Sequence, residues 1–456
     1  MFSFFNNIFR NFFLRYSAYF PRYSALSERK RVYLDNAGAT EIGARAKRAL
    51  TDALSIYGNP SAIHKEGDQA GRLLDKARNI CAKILNAHAY EIYFVGSGTE
   101  SCNLAVLGTY LGTTNNEERI TNNIIPHFIV SAIEHPAVLE PIRHLEKSGK
   151  VRVTYLPVYE NGIVKINDIR EALSLETILV SVMYANNEIG TIQPVKEIGR
   201  AIEEWKKENN RTHTDYPYFH IDACQAVNYC NLDVVRLRAH LMTVNSSKCY
   251  GPKGIALLYK REGIKIEPTT LGGGQERGMR SGTESVALAI SFAEALTEAV
   301  ELKEKESVRL RVLRDYLKEE LTKNIPDITF YGAFDDMKIQ DTRSTKQGGY
   351  KNSELLPTTH YPLPTATRLS NNINCRVPGI LSDEMIIRLD AKGFAVSHKS
   401  ACASAESDGS YVLEALGASR DEALQNIRIT LGRSTSRPDL DNLVKAIKEI
   451  KEKFSH

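Results

Sequence analysis

The chain has 456 residues, 42% of them hydrophobic and 25% charged, with a formal net charge of +4 at pH 7. That length is enough for a large core divided over two or more domains. The small positive balance, part of it Arg10, Arg15 and Arg22 ahead of the first acid at Glu28, argues against the basic face of a nucleic-acid-binding protein. No apolar run reaches about 18 residues, so no transmembrane helix is expected. The seven cysteines are odd in number, include no C-x-x-C and make no metal ligand set, which points to reduced thiols in a reducing compartment.

Residues 1–27, MFSFFNNIFRNFFLRYSAYFPRYSALS, hold seven Phe and three Arg and no acid. Asn and Arg break the apolar runs too often for a secretory signal. The composition fits an organellar transit peptide, a membrane-surface segment or a plain N-terminal tail, and residues 1–30 are set apart as an extension. From Val32 to about Ala289, short β-rich runs alternate with amphipathic helices. EIYFV (91–95), HFIVSAI (127–133), TILVSVMY (177–184), YFHID (218–222), HLMTV (240–244) and GIALLY (254–259) read as strands, with helices at 99–110 and 195–207 among those between them. Strands apolar on both faces and separated by helices mean a mostly parallel α/β sheet. Residues 286–323 predict a long, charge-laced helix leading to a second domain. Residues 333–367 are polar, turn-rich and aperiodic, a long loop or insertion. Strand signals at 370–375 and 427–431, with helices at about 382–392 and 439–453, make a smaller α+β module.

The positions after the strands carry chemistry, because open parallel sheets bind ligands beyond the carboxyl ends of their strands. GSGTES (96–101) is a turn entering a helix, whose free N–H groups and dipole suit a phosphate. The other strand ends deliver His135, Asn186, Asp222 with Gln225, and Lys248. Each has a bland alternative: His135 ending a strand, Asp222 capping the next helix, Lys248 a solvated surface lysine. Together they suit a phosphate-bearing pyridine aldehyde. The lysine forms a Schiff base, the carboxylate keeps the ring nitrogen protonated, the imidazole stacks on the ring, and the amides bond its phenolic oxygen. A further stretch, VSHKSACASAESDGSY (396–411), sets Cys402 among Ala and Ser ahead of an Asp-Gly turn signal, the composition of a surface loop.

The motifs YLDNAGAT (33–40), YGNPSAIH (57–64), SGTESCNLA (97–105), EHPAV (134–138), NNEIGTIQP (186–194), HIDACQAV (220–227), SSKCYGPKG (246–254), GGGQERGMRSGT (272–283), SACAS (400–404) and IRITLGR (427–433) occur in this order. On them the chain resembles the cysteine desulfurases of the NifS/IscS type, fold-type I enzymes of the class-V aminotransferase family that use pyridoxal 5′-phosphate (PLP). The resemblance spans about residues 31–453. It implies a large PLP-binding domain, 46–289, with a mostly parallel seven-stranded sheet. It implies a smaller α+β domain built from 31–45 and 290–456, which carries the 333–367 insertion and the 396–411 cysteine loop.

Residue by residue, the resemblance implies that Lys248 is the Schiff-base lysine and that His135 stacks on the ring and shuttles protons. Asp222 pairs with the pyridine nitrogen, and Gln225 and Asn186 contact the phenolic oxygen, Asn186 also touching substrate. Gly98 and Thr99 hold the phosphate. Thr283 reaches the phosphate of a partner subunit, which implies a homodimer. Arg428 clamps the substrate carboxylate, and Cys402 is the nucleophile that takes sulfur from L-cysteine, leaving alanine. The persulfide then passes to an acceptor protein, an iron–sulfur scaffold or a tRNA-thiolation relay. Departures from the family pattern are Asn245 and Ser247, in place of the usual phosphate-binding serine and a histidine. Both can still hydrogen-bond phosphate. His398, Lys399 and Gln275 also depart from the pattern. Alternatives are a selenocysteine lyase, an aminotransferase-like PLP enzyme, or a catalytically weakened scaffold paralogue. The compartment is read as cytoplasmic, or as the mitochondrial matrix if residues 1–27 are a transit peptide.

Overall fold

A computed structural model describes residues 31–114, 124–334, 367–399 and 409–454. The extension 1–30, all but the ends of the 333–367 insertion, and Cys402 with the rest of 400–408 lie outside the described residues.

The described residues begin with β1 (Val32–Tyr33), α1 (Ala44–Ala53) and α2 (Lys65–Leu85). His64 caps α2 by accepting the Gly67 N–H on Nδ1 at 3.2 Å, and Asn86 stops it in the left-handed region at φ 54°. Its buried face is Ala70, Leu74, Ala77, Cys81 and Leu85, at the three- and four-residue spacing of a helix stripe.

Next come β2 (Ile92–Val95), α3 (Gly98–Thr114), β3 (His127–Ser131), α4 (Pro136–Lys147), β4 (Arg152–Leu156), β5 (Thr177–Ser181), α5 (Val195–Glu208), β6 (Tyr218–Asp222), β7 (Leu241–Asn245) and β8 (Ala256–Lys260). The strands form one seven-stranded sheet in the order β2-β8-β7-β6-β5-β3-β4. From β4 through β7 neighbours are parallel, and β8 is antiparallel to both β7 and β2. Since β2 and β7 both oppose β8, the carboxyl end of β2 shares an edge with those of the parallel strands.

Every residue of β2, β3, β5 and β6 is buried, and so their sequences are mostly apolar rather than alternating, with His220 and Asp222 the buried polar exceptions in β6. Edge strand β4, RVTYL, buries only Leu156 fully, and it is the one strand of this sheet that no apolar run announces. The runs at 127–133 and 177–184 outlast the ladder, which ends at Ser131 and Ser181. Beyond them, Ile133, Glu134 and residues 182–184 stay buried but leave the ladder to build the site.

The 39-residue α6 (Val286–Asn324) joins two cores. Ala289, Phe292 and Leu296 on its first half pack into the core beneath the large sheet, and Leu310, Leu317 and Leu321 on its second half into another. That second core also takes Ile373, Ile427 and Ile429 from a three-stranded antiparallel sheet, β12-β10-β9, made of β9 (Thr329–Phe330), β10 (Asn372–Arg376) and β12 (Asn426–Thr430). Two helices, α7 (Ser382–Ala391) and α8 (Arg437–Glu452), cover it, and β11 (Phe394–Ala395) pairs with β1 in parallel. Leu34 drops into this core, and its carbonyl accepts the Thr430 N–H at 2.7 Å, which brings the segment after β1 against β12. Burying each such leucine contributes roughly 1.5–3 kcal/mol. No helix among the described residues is long and apolar enough to cross a membrane.

Candidate active site

The carboxyl edge of the large sheet and the Leu34–Gly38 segment enclose a cleft of about 190 Å³, completed by β12. At one end, β2 runs through Gly96 and Ser97 into α3. Glu100 Oε2 accepts the Gly96 N–H at 2.6 Å, Ser97 Oγ accepts the Glu100 N–H at 3.1 Å, and Ser97 O accepts the Ser101 N–H at 3.0 Å. The N–H groups of Ser97, Gly98 and Thr99 have no acceptor among the described residues. They stand free at the positive end of a 17-residue helix. A Cβ on Gly98 would come 3.1 Å from Asn245 Nδ2 and 3.3 Å from Cys224 Sγ, so any side chain here would crowd the cleft side of the turn.

Along the floor, the amine of Lys248 donates to the Ala37 carbonyl at 2.8 Å and to that of Gly38. Burial lowers its pKa, and the nearby Arg428 charge adds to the effect. This is no solvated surface lysine. Asp222 is 6% exposed at the end of β6, where its Oδ1 accepts the Cys224 N–H at 3.0 Å, so it does cap the turn. Its other oxygen meets Cys102 Sγ at 3.8 Å. Gln225 donates to the Ala37 carbonyl at 2.9 Å.

His135 is the N-cap of α4, with Nδ1 accepting the Ala137 N–H at 3.1 Å, so its proton resides on Nε2. Burial is the main cause that lowers its pKa and keeps the ring neutral, against the opposing pull of Asp222. Behind it, Glu134 ties the ends of β3 and β5 together, accepting Ser131 Oγ and the Met183 N–H at 2.6 Å. Complete burial pushes this carboxyl up to about 8.

Arg428, 1% exposed on β12, closes the cleft. Nη2 donates to Asp35 Oδ1 at 2.7 Å and Nη1 to the Asn187 carbonyl at 3.2 Å, while the buried Nε has no partner. Its backbone exchanges hydrogen bonds with Ser397, five residues before Cys402. On the far side of the 400–408 segment, Ser410 Oγ donates to Glu188 and the Tyr411 hydroxyl to the Glu134 carbonyl at 2.6 Å, beside His135. One anchor of the cysteine segment is thus bonded to Arg428 of the cleft, and the other to Glu188 and Glu134, the chain neighbours of the cleft residues Asn187 and His135.

Gly98, Thr99, His135, Asp222, Gln225, Asn245, Lys248 and Arg428 all line this one cleft. Asn186, Ser247 and Thr283 do not. The Asn186 amide is spent on its own turn, donating to the Ile133 carbonyl at 3.0 Å and accepting the Glu188 and Ile189 N–H groups, and Asn187 lines the cleft instead. Ser247 bonds back to Asn245 Oδ1 through both its N–H and its hydroxyl. Thr283 is exposed on another face with Arg280 and Glu284. Residue-by-residue reasoning did not single out Asp35, Ala37, Gly38, Cys102 and Cys224, although all lie within quoted motifs. Two of them act through backbone carbonyls, which side-chain chemistry does not reveal. Free N–H groups at a helix start, a tight glycine turn, a desolvated amine, a carboxylate and a neutral imidazole form a donor set that fits a phosphate-bearing pyridine aldehyde.

The aminotransferase class-V family profile matches residues 32–356. A cysteine desulfurase IscS from Dictyoglomus turgidum is 35% identical over 427 residues, which span 93% of this chain and 96% of that one. A mitochondrial cysteine desulfurase from Arthroderma benhamiae is also 35% identical, over 92% of this chain and 74% of its own. Among solved structures, a NifS-like protein aligns with a TM-score of 0.77 and 29% identity, covering 93% of this chain and 100% of its own. SspA, solved in complex with cysteine, aligns with a TM-score of 0.67 and 28% identity, covering 88% and 99%.

Proposed function

The chain belongs to the aminotransferase class-V family and is a cysteine desulfurase of the NifS/IscS type with the α/β fold of PLP fold type I; from that premise we propose which of its residues do the work. The observation that carries the assignment is the meeting of Lys248, Asp222, His135 and Arg428 around one cleft. The family is PLP-dependent, and the group supplies a protonated ring that withdraws electrons from the substrate. Lys248 would hold its aldehyde, Asp222 its ring nitrogen, and His135 its ring face. Gln225 would serve its phenolic oxygen, and the Ser97–Thr99 N–H groups with Asn245 its phosphate, while Asn186 and Ser247, bonded within their own turns, take no part.

Arg428 receives the carboxylate of L-cysteine. Lys248, whose pKa burial lowers, moves the proton at the substrate's Cα. The Cys402 thiolate attacks the substrate sulfur, forming an S–S bond while the Cβ–S bond breaks. The electron pair stays with the carbon skeleton, which takes up a proton at Cβ and leaves as alanine. Chain length supports this role for Cys402: five residues from Ser397 span at most about 18 Å, and Ser397 is bonded to Arg428. The persulfide goes on to an acceptor protein, an iron–sulfur scaffold or a thiolation relay.

We read residues 46–289 as one domain and 31–45 with 290–456 as the other; the core that joins Leu34 to residues from Leu310 to Ile450 supports the second, while Phe292, Leu296 and Leu413 pack into the core of the first. A homodimer is supported by exposed apolar side chains, Tyr57 at 83%, Ile63 at 103% and Leu271 at 81%, and by Thr283 standing exposed outside its own cleft. Cytoplasm is the reading for the compartment, and import of a reporter fused to residues 1–30 into mitochondria would overturn it.

The test is spectroscopic and chemical. Protein loaded with PLP should show the visible absorbance of the lysine-bound cofactor, and Lys248→Ala should lose it. Cys402→Ser should keep the absorbance and stop alanine formation from L-cysteine. Alanine formation that survives Cys402→Ser would remove that residue from the role.

A further inference from the structure

Residues 275–283 link an outward-facing loop to the turn that carries the free N–H groups. Leu271 to Gly274 are exposed, as are Gly282 and Thr283. The inner residues are fastened to β2 and the turn after it. Glu276 accepts the Phe94 N–H at 3.0 Å and forms a buried pair with Arg78. Arg277 donates to the Ile92 carbonyl at 2.6 Å and lies over the Tyr93 ring. Arg280 Nε donates to Glu100 Oε1 at 2.8 Å. Glu276 and Arg277 hold positive φ values of 48° and 55°, a backbone that non-glycine residues adopt only where surrounding contacts enforce it.

Glu100 is the point of transmission. With one oxygen it takes the Gly96 N–H, which turns that group out of the cleft and leaves the next three N–H groups to an anion. Yet its own negative charge then stands in the first turn of α3, beside the place a phosphate dianion would occupy, and repels it. The guanidinium of Arg280 on the other oxygen cancels that charge and holds the carboxylate in place.

We propose that Arg280 is a positioning residue for the cofactor phosphate, acting through Glu100 to shape the Gly96–Thr99 turn and neutralise the acid beside it. The inference rests on the desulfurase reading and adds to it a residue that acts on the turn rather than on the cofactor. Apo-protein titrated with PLP, followed by visible absorbance, tests it. Arg280→Gln should weaken PLP binding about tenfold, the worth of one charge-assisted interaction. Adding Glu100→Gln in the same chain should restore most of that loss, because the uncompensated charge is gone; a purely structural role would not be rescued by a second lesion. Arg280→Lys, which keeps the charge, should bind within about threefold of wild type. Equal affinity of Arg280→Gln and wild type, or a double variant no tighter than the single one, overturns the inference. Wild-type protein that takes up no PLP would instead sink the cofactor reading beneath it.

Discussion

Lysine in place of Arg428 keeps a charge in the cleft but removes the planar fork. Arg428 is 1% exposed and already commits Nη2 to Asp35 and Nη1 to the Asn187 carbonyl. A substrate carboxylate bound by such a fork receives two charge-assisted hydrogen bonds, each contributing about 1.5–3 kcal/mol. Lysine can supply one of them, so the expected loss in kcat/KM is about ten- to a hundredfold. The carboxylate is held equally before and during reaction, so the loss should fall on KM rather than kcat. The fold should suffer less. Asp35 is 26% exposed and can turn to water, and the change also removes the buried Nε that lacks a partner, an orphan costing about 1–3 kcal/mol. The assay is the initial rate of alanine formation against L-cysteine concentration, with the cofactor absorbance and a urea melt recorded on the same preparation. A folded, PLP-loaded Arg428→Lys protein with the wild-type KM would refute the carboxylate role.

Gly98→Ala should lower PLP affinity about tenfold or more while leaving the apo-protein's urea midpoint nearly unchanged, since the added Cβ meets Asn245 Nδ2 at 3.1 Å on the cleft side of the turn; titration with PLP checks it. Glu134 is raised from 4.5 to about 8 in the folded chain, so the fold holds its proton more tightly than the unfolded state does. That contribution is complete below about 4.5 and is lost as pH climbs to about 8. The slope is at most about 1.4 kcal/mol per pH unit, and Glu134→Gln should flatten it in urea melts across that range. Lys206, buried against His240 with Nζ 2.9 Å from Nε2, is lowered from 10.5 to about 7, the opposite case. Its burial penalty is full below about 7 and fades as pH rises to 10.5. Lys206→Met should therefore stabilise the protein at neutral pH and remove the rise of stability between those values; a Met variant less stable at pH 7 would refute this.

Much of the architecture was legible because each buried strand of the large sheet writes its environment into sequence. A strand covered on both faces is mostly apolar, as in β2, β3 and β5, whose polar residues stand only at their ends, and its polar positions are the buried, partnered exceptions such as His220 and Asp222 of β6. For the same reason β4 was silent, since a half-exposed edge strand needs no continuous run. Helix α6 was readable end to end from its length and charge pattern, yet nothing local says that its two halves serve different cores. Strand ends pointed to His135, Asp222, Gln225 and Lys248 because a parallel sheet collects its carboxyl ends on one edge, a consequence of topology alone.

The neighbouring asparagines mark the limit. Asn186 and Asn187 have the same chemistry in adjacent positions, but the turn after β5 consumes the Asn186 amide and lets Asn187 line the cleft. Asp35 and Arg428 lie 393 residues apart and meet only because Leu34 is buried in the core beneath β12. Composition, periodicity and the residue types at strand ends thus determined which chemistry this chain carries. Folding decided which groups are desolvated, which are already spent on the backbone, and which remain free to hold a ligand, because burial and hydrogen-bond partnership belong to three-dimensional neighbours that no stretch of sequence contains.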